Sequence, residues 1–320
     1  MTAAGTVPWR RMTSSDPRGR PAAPLVVCLG NLVADHSFWV LDVTEPPSKS
    51  VARSYRMSYG GMAANAAVAV VRLGGRAQFW GRVGEDANGG PLVEALAAEG
   101  VDMSQARRVP GARTPVSAVL VDPRGERAIF NFRGEGLGTD PSWLPLGTLD
   151  GARGLLCDPR WPEAAELALA AARARGIPSV LDAEKSETRI LRHLVPLVDH
   201  AVFSLPGLQN FAPGTPQAEG LRRALAEGVR VAAVTRGEDG VLWATREDPT
   251  PRETPAFRVE ARNTTGAGDV FHGAYALAVA EGQEVAAAMR FAAAAGALRA
   301  QDGETPRRAA VEALLAGGGG

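Results

Sequence analysis

The residues best suited to chemistry stand in one run, Arg262-Asn263-Thr264-Thr265-Gly266-Ala267-Gly268-Asp269, followed by an apolar stretch from Val270 to Ala280. Small residues at Gly266, Ala267 and Gly268 ahead of a helix let consecutive backbone N–H groups converge on an anion, where the helix dipole adds partial positive charge. Asp269 then falls at the helix entrance. A carboxylate beside an anion hole suits the removal of a proton from a hydroxyl as that hydroxyl attacks a phosphorus held by the N–H groups. The plainer alternative is a Gly-Ala-Gly turn with Asp269 as an ordinary N-cap. A second cluster, Tyr59-Gly60-Gly61-Met62-Ala63-Ala64-Asn65, opens a helical pattern that runs to Leu73 and closes on Gly74-Gly75. Paired glycines permit close backbone approach to a ligand, and Asn65, one turn inside, can both donate to and accept from sugar hydroxyls.

The elements that must carry these clusters alternate. Apolar strand-like runs at Leu25–Leu29, Ala77–Trp80, Gly154–Cys157, Ser179–Leu181, Ala201–Phe203 and Val231–Thr235 are separated by helical patterns such as Gly90–Glu99, Pro162–Arg175 and Glu219–Glu227. That order predicts an α/β fold with a doubly wound, mostly parallel sheet, whose ligands bind beyond the carboxyl ends of the strands. Two regions break the alternation: Ser37–Val43 with Ser50–Met57, and Thr114–Val121 with Arg127–Phe132, read as hairpin-like strand pairs.

A chain of 320 residues suffices for one large domain with a substantial core. Lys+Arg and Asp+Glu balance at 35 each, which argues against nucleic-acid and membrane-surface partners, both of which need a concentrated basic patch. Cys28 and Cys157 lie in apolar runs without metal-ligand spacing and read as reduced thiols of a cytoplasmic enzyme. No apolar run approaches the ~20 residues of a membrane span. Met1 to about Pro24, rich in Arg, Pro, Ser and Ala, is expected to be disordered, as is the tail Gly317–Gly320, leaving residues 25–316 as the domain.

Here the residues reach a known family. "GGMAANAAVAVVRLGG" and "NTTGAGDVFHGAYALAVAEG", in that order and about 200 residues apart, resemble the two signatures of the ribokinase-like (PfkB) carbohydrate kinases, and the resemblance continues through "CLGNLVADHSFWV", "GRVGEDANGG", "DPRGERAIFNF" and "VTRGEDGVLW". It covers Leu25 to about Thr305. It implies a three-layer α/β/α sandwich with a small β lid, formed from about 37–57 and 114–132, which closes over a sugar and often pairs with another subunit's lid, so a homodimer is expected. It also implies ATP and Mg²⁺, with Asp269 as base, Gly266 to Gly268 as anion hole, Asp35 and Asn65 on the sugar hydroxyls, and Gly60 and Gly61 as contacts and hinges. Thr235, Arg236, Gly237 and Gly240, with Thr265, fall on the nucleotide side. Mg²⁺ is expected to bridge phosphate oxygens through water, with no protein metal cage. The helix dipole is expected to keep Asp269 ionised, a weak base.

The chain departs from the family in two places. Asn263 replaces an Asp that helps potassium-using members bind that ion, and Phe203-Ser204-Leu205-Pro206-Gly207-Leu208-Gln209 stands where many members carry Asn-x-x-Glu. The second departure resembles the ketohexokinase-like and sulfofructose kinase-like branch. There, Lys49, Asn131 and Arg160 match residues that bind a C6 sulfonate; alternatively Lys49 and Arg160 are solvated surface charges. The expectation is ATP-dependent phosphorylation of the C1 hydroxyl of 6-deoxy-6-sulfofructose. The competitors are a kinase for a neutral ketose, ribose or a nucleoside, a kinase for fructose 6-phosphate, and a catalytically silent sugar-responsive regulator. His272 is expected to pack on a helix face near the site.

Overall fold

The computed structural model describes residues 22–42, 51–124 and 127–317. Most of the N-terminal extension, the last three glycines and Lys49 lie outside the described residues. In chain order the elements are β1 (Leu25–Leu29), β2 (Val33–Trp39), β3 (Ser54–Gly60), α1 (Met62–Arg72), β4 (Arg76–Gly84), α2 (Gly89–Ala98), β5 (Ala106–Val109), β6 (Val116–Val121) and β7 (Arg127–Phe132). They continue as β8 (Gly154–Cys157), α3 (Pro162–Ala174), β9 (Ser179–Ala183), α4 (Thr188–Leu194), β10 (His200–Ser204), α5 (Leu205–Phe211), α6 (Gln217–Ala226), β11 (Val231–Thr235), β12 (Val241–Thr245), β13 (Arg252–Thr254), α7 (Ala267–Ala280), α8 (Val285–Asp302) and α9 (Arg308–Gly317).

A nine-stranded sheet runs β13-β12-β11-β10-β9-β8-β1-β4-β5, parallel from β11 to β5 and antiparallel at its β12 and β13 edge. Its strands are apolar on both faces because helices cover both. One face packs under α1, α7 and α8 around Phe79, Tyr275, Leu277 and Phe291. The other packs under α3, α4, α5 and α6 around Trp80, Trp161, Phe203 and Leu221. α7 is buried on nearly every side, from Val270 through Ala278, as an apolar all-round sequence requires. The alternation read from sequence holds; the helices at α5, α8 and α9 and the strands β5, β12 and β13 are additions to it.

The lid is a separate four-stranded sheet in the order β3-β2-β6-β7. Its first pair is placed differently from the sequence expectation. β2 begins at Val33 and ends at Trp39, and β3 runs on to Gly60, because the alternation of Ala34, His36 and Phe38 against Asp35, Ser37 and Trp39 extends back to the end of β1. β2 and β6 pair in parallel, joining the two hairpin-like halves into one surface.

Candidate active site

The floor of the site is made where α1 crosses α7. Alanines at 63, 64, 66 and 67 let the helices approach closely, and a side chain at Gly273 would collide with the Ala66 carbonyl. This contact brings Asn65 and Asp269 together although 204 positions separate them: Asn65 Nδ2 donates to Asp269 Oδ2 at 2.7 Å. Gly266 caps α7 at φ 74°, a left-handed value that glycine adopts without strain. Thr265 N–H donates to Asn263 Oδ1 at 3.0 Å, and Ala267 N–H to Thr264 O at 3.2 Å. The cradle therefore differs from the expected Gly-Ala-Gly set: the Ala267 amide is already engaged, while Gly268 and Asp269 supply the first-turn amides that helix geometry leaves without a partner inside the helix. A Cβ at Gly268 would meet nothing within 4 Å, so that turn faces open space.

The expectation that the dipole keeps Asp269 a weak base is corrected. Burial dominates and raises its carboxyl to about 6, against the pull of the Asn65 hydrogen bond and the His272 ring, with Asp158 and Glu184 adding repulsion. A base near 6 is better matched to work at neutral pH than an ordinary carboxylate.

Three further acids stand close by. Asp158, fully buried at the end of β8, accepts from Arg160 N–H at 2.8 Å, Asn31 N–H at 3.3 Å and Ala63 N–H at 3.4 Å. It fits the space that a side chain at Gly30 would fill, and burial raises its carboxyl. Asp182 in β9 lies 3.4 Å from His272 Nδ1; burial pushes this carboxyl well up and the imidazole down. His272 Nδ1 is also 2.7 Å from Gly268 O, and Nε2 is 3.2 Å from Val202 O, so the ring ties the first turn of α7 to β10. This is the packing role expected of it. Glu184 directly follows Ala183 at the end of the same strand, β9, half-buried.

The roof is a cross-strand row of the lid. Asp35 in β2 pairs with Ser117 in β6, which pairs with Asn131 in β7, so all three side chains share one face. Ser117 Oγ donates to Asn131 Oδ1 at 2.8 Å. Burial raises Asp35 to about 6, with the Ser117 hydroxyl drawing it back. Gly60 is required here: any side chain would run into the Asp35 carboxylate. Gly61, at φ 103°, abuts the Asn31 carbonyl and turns the chain from lid to α1.

Arg160 lies past β8 with its guanidinium exposed and Nη1 donating to Lys185 O at 3.0 Å, at the strand ends but off the floor pair. On the expected nucleotide side, Thr235 Oγ1 donates to Phe203 O at 3.3 Å, and Arg236 pairs with Glu253 Oε1 at 3.1 Å and donates to Asp239 O at 2.8 Å. Gly237 and Gly240 both have positive φ, and a side chain at Gly240 would strike Thr254 O. Sequence reasoning missed Ser117, Asp158, Asp182 and Glu184. Only Asp158 carried a signal, as a polar residue closing an apolar strand run.

A doubly wound sheet, a helix N-terminus opened by glycine, a buried carboxylate beside it and a polar lid define a phosphotransferase acting on an alcohol group. Residues 23–308 match the model of the pfkB family carbohydrate kinases, and the chain belongs to that family. The ribokinase of Bacillus subtilis is 29% identical over 269 residues, covering 82% of this chain and 89% of that protein. A fructokinase of Vibrio alginolyticus is 31% identical over 234 residues, covering 67% of this chain and 74% of the relative. Among solved structures, Arabidopsis thaliana ribokinase complexed with ribose and ATP has a TM-score of 0.80 at 25% identity, covering 92% of this chain and 99% of its own. The fold is thus ribokinase-like, and the chain is a carbohydrate kinase of the pfkB family.

Proposed function

We propose that this kinase transfers the γ-phosphate of ATP to the C1 hydroxyl of 6-deoxy-6-sulfofructose. The observation that carries the reading is the placement of opposite chemistries across the strand ends: a hydrogen-bonded base, Asp269, under the lid on the α7 side, and a cation, Arg160, past β8. Asp35 and Asn65 grip hydroxyls and Asn131 reaches in from the lid row. Asp269 takes the C1 proton while the freed oxygen forms its bond to the γ-phosphorus and the bond to the ADP oxygen breaks. The amides of Gly268 and Asp269 receive the transferring oxygens. The Thr235–Gly240 segment lies beneath the nucleotide.

Mg²⁺, bound with ATP, would supply charge neutralisation on the phosphates. Among the described residues no three His, Cys, Asp or Glu side chains are spaced to hold a metal directly. The acids present fit an ion carried by phosphate and water: Glu184 follows Ala183, whose carbonyl lies against Gly207 so closely that no side chain fits there. The Phe203–Gln209 stretch carries no Glu, and Glu184, at the end of the neighbouring strand β9, offers a carboxylate at that edge.

The lid's other face exposes Tyr55, Met57 and Phe130, in register with Phe38, His36 and Ala118. A homodimer that covers this face completes the proposal, and replacing Phe130 with Glu should give monomers by light scattering. The ribokinase and fructokinase relatives favour a second reading, a neutral pentose or ketose on the same machinery. Side-by-side turnover of sulfofructose, fructose 6-phosphate, fructose and ribose decides: higher kcat/KM on any of the last three overturns the sulfonate assignment.

A further inference from the structure

His272 is buried on α7 with each ring nitrogen facing a group that cannot donate. Nδ1 stands 2.7 Å from Gly268 O and Nε2 stands 3.2 Å from Val202 O. A carbonyl oxygen only accepts, and a neutral imidazole carries a single N–H. Whichever tautomer is chosen, a neutral ring turns one lone pair toward a carbonyl oxygen. A doubly protonated ring donates from both nitrogens. Its counter-charge is at hand, since Asp182 Oδ2 in β9 lies 3.4 Å from Nδ1. Asp269 on the same helix and Glu184 past β9 add negative field at the ring, while Asp158 and Arg160 bear on Asp182. Burial opposes both charges, pushing the ring down and Asp182 up. Yet a protonated Asp182 beside a neutral ring still leaves one nitrogen lone pair against a carbonyl, so hydrogen bonding favours the ion pair. His200 shows the contrast. It is also buried, but its Nδ1 lies 2.8 Å from the Tyr275 hydroxyl, which can donate, so a neutral ring suffices and burial lowers it to about 4.

The carbonyl gripped by Nδ1 belongs to the peptide unit whose other end is the Asp269 N–H, one of the two amides assigned to the transferring oxygens. A trans peptide is planar, and its C=O and N–H point opposite ways. Holding the Gly268 oxygen therefore aims the Asp269 N–H out of the helix. A positive ring on that oxygen also polarises the unit, because hydrogen bonds in series strengthen one another in a low dielectric. Gly268 has no side chain with which to hold the turn, and a Cβ there would meet nothing within 4 Å. The bond from Nε2 to Val202 O fixes the ring to β10, so the first turn of α7 takes its position from the sheet.

We infer that His272 is a positioning residue, a buried imidazolium balanced by Asp182 that aims and polarises the Asp269 amide toward the transferring phosphoryl group. This rests on the cradle of the proposed reaction but not on the identity of the sugar. The test joins nitrogen NMR of histidine-labelled protein near neutral pH to steady-state kinetics of His272→Phe and Asp182→Asn, on whichever sugar the wild type turns over. The wild type should show one histidine with both ring nitrogens protonated, a signal absent from His272→Phe and converted to a neutral ring in Asp182→Asn. Removing a cradle donor outright costs about 10²–10³ in kcat, and misaiming one costs less, so kcat should fall about 10-fold in His272→Phe and about 3- to 10-fold in Asp182→Asn, with KM for the sugar moved by less than about twofold. Should His272→Phe fail to fold, single replacements of His36, His193 and His200 assign the signal and Asp182→Asn carries the kinetics. A neutral His272 ring in the wild type, a ring still charged in Asp182→Asn, or an unchanged kcat in either variant overturns the inference. Full turnover by Asp269→Asn would instead fault the cradle reading itself, whatever the charge on the ring.

Discussion

The floor and the roof of this site are built on opposite principles. Asn65 and Asp269 are held by two helices in the densest part of the molecule, where even a methyl group at Gly273 has no room. Asp35, Ser117 and Asn131 sit on a thin lid sheet whose other face leaves Tyr55 and Phe130 exposed. Packed cores resist deformation, and thin sheets bend. The floor can therefore fix a base to a fraction of an ångström, while the roof can open, close and change its contacts. On this division, floor substitutions act on kcat and roof substitutions on KM.

The sharpest break should come from Asp269→Asn. We expect kcat to fall by about 10²–10⁴, with KM changed far less. In the wild type, activity should rise with pH through an apparent pKa near 6, because the carboxyl must be ionised to act. The stability sign runs the other way. A carboxyl raised by folding binds its proton more tightly in the native state, so its favourable contribution is full below the ordinary carboxylate range and is lost as pH rises through about 6. Asp269→Asn should therefore melt higher than wild type at pH 7.5, by an amount on the order of 1–3 kcal/mol, and the gain should vanish by pH 4. A wild-type limb near pH 4, or an equal melting temperature at pH 7.5, would refute the buried-base account.

Next in size is Gly273→Ala, remote from any ligand. Its Cβ would press on the Ala66 carbonyl and drive α1 from α7, costing about 1–3 kcal/mol in urea unfolding. Because the same contact sets the 2.7 Å bond from Asn65 to Asp269, kcat should drop with stability. Normal kcat in a destabilised variant would show that the helices do not set the base.

How far the sequence announced this site follows the same division. Gly60-Gly61 and Gly266-Ala267-Gly268-Asp269 are local signals, because a turn that needs positive φ and an anion cradle are both written in adjacent residues. The parallel sheet was legible because strands apolar on both faces alternate with helical patterns. Ser117 and Asp182 were not legible. Each gains meaning only from register or from a residue more than eighty positions away, Asp35 in one case and His272 in the other. The basicity of Asp269 was underestimated for a related reason: the dipole is local and visible in sequence, whereas the burial that outweighs it is tertiary.

On the roof, Asp35→Asn should raise KM for the sugar by about 10-fold and move kcat by less than threefold, since an amide keeps one acceptor but loses the charge-assisted bond. Steady-state kinetics with ATP saturating would check it. A fall in kcat like that of Asp269→Asn would erase the distinction between roof and floor.

The smallest effect tests whether the lid row acts as a unit. Ser117 Oγ donates to Asn131 Oδ1 at 2.8 Å and stands in register beside Asp35, whose carboxyl draws on the same single proton, so it lies between the acid and the amide across two strand pairings. Ser117→Ala removes no group assigned to the substrate, and the hydrogen bond it breaks is worth roughly 0.5–1.5 kcal/mol. With the hydroxyl gone, the Asp35 carboxyl loses the contact that lowers it and should titrate higher, while Asn131 is freed to rotate. We expect KM to rise about two- to fivefold near neutrality and more steeply below pH 7, with kcat held. Independent contributions from Asp35 and Asn131 would give additive losses in Asp35→Asn/Asn131→Ala with Ser117 present. A connected row gives less than the sum, and Ser117→Ala should restore additivity.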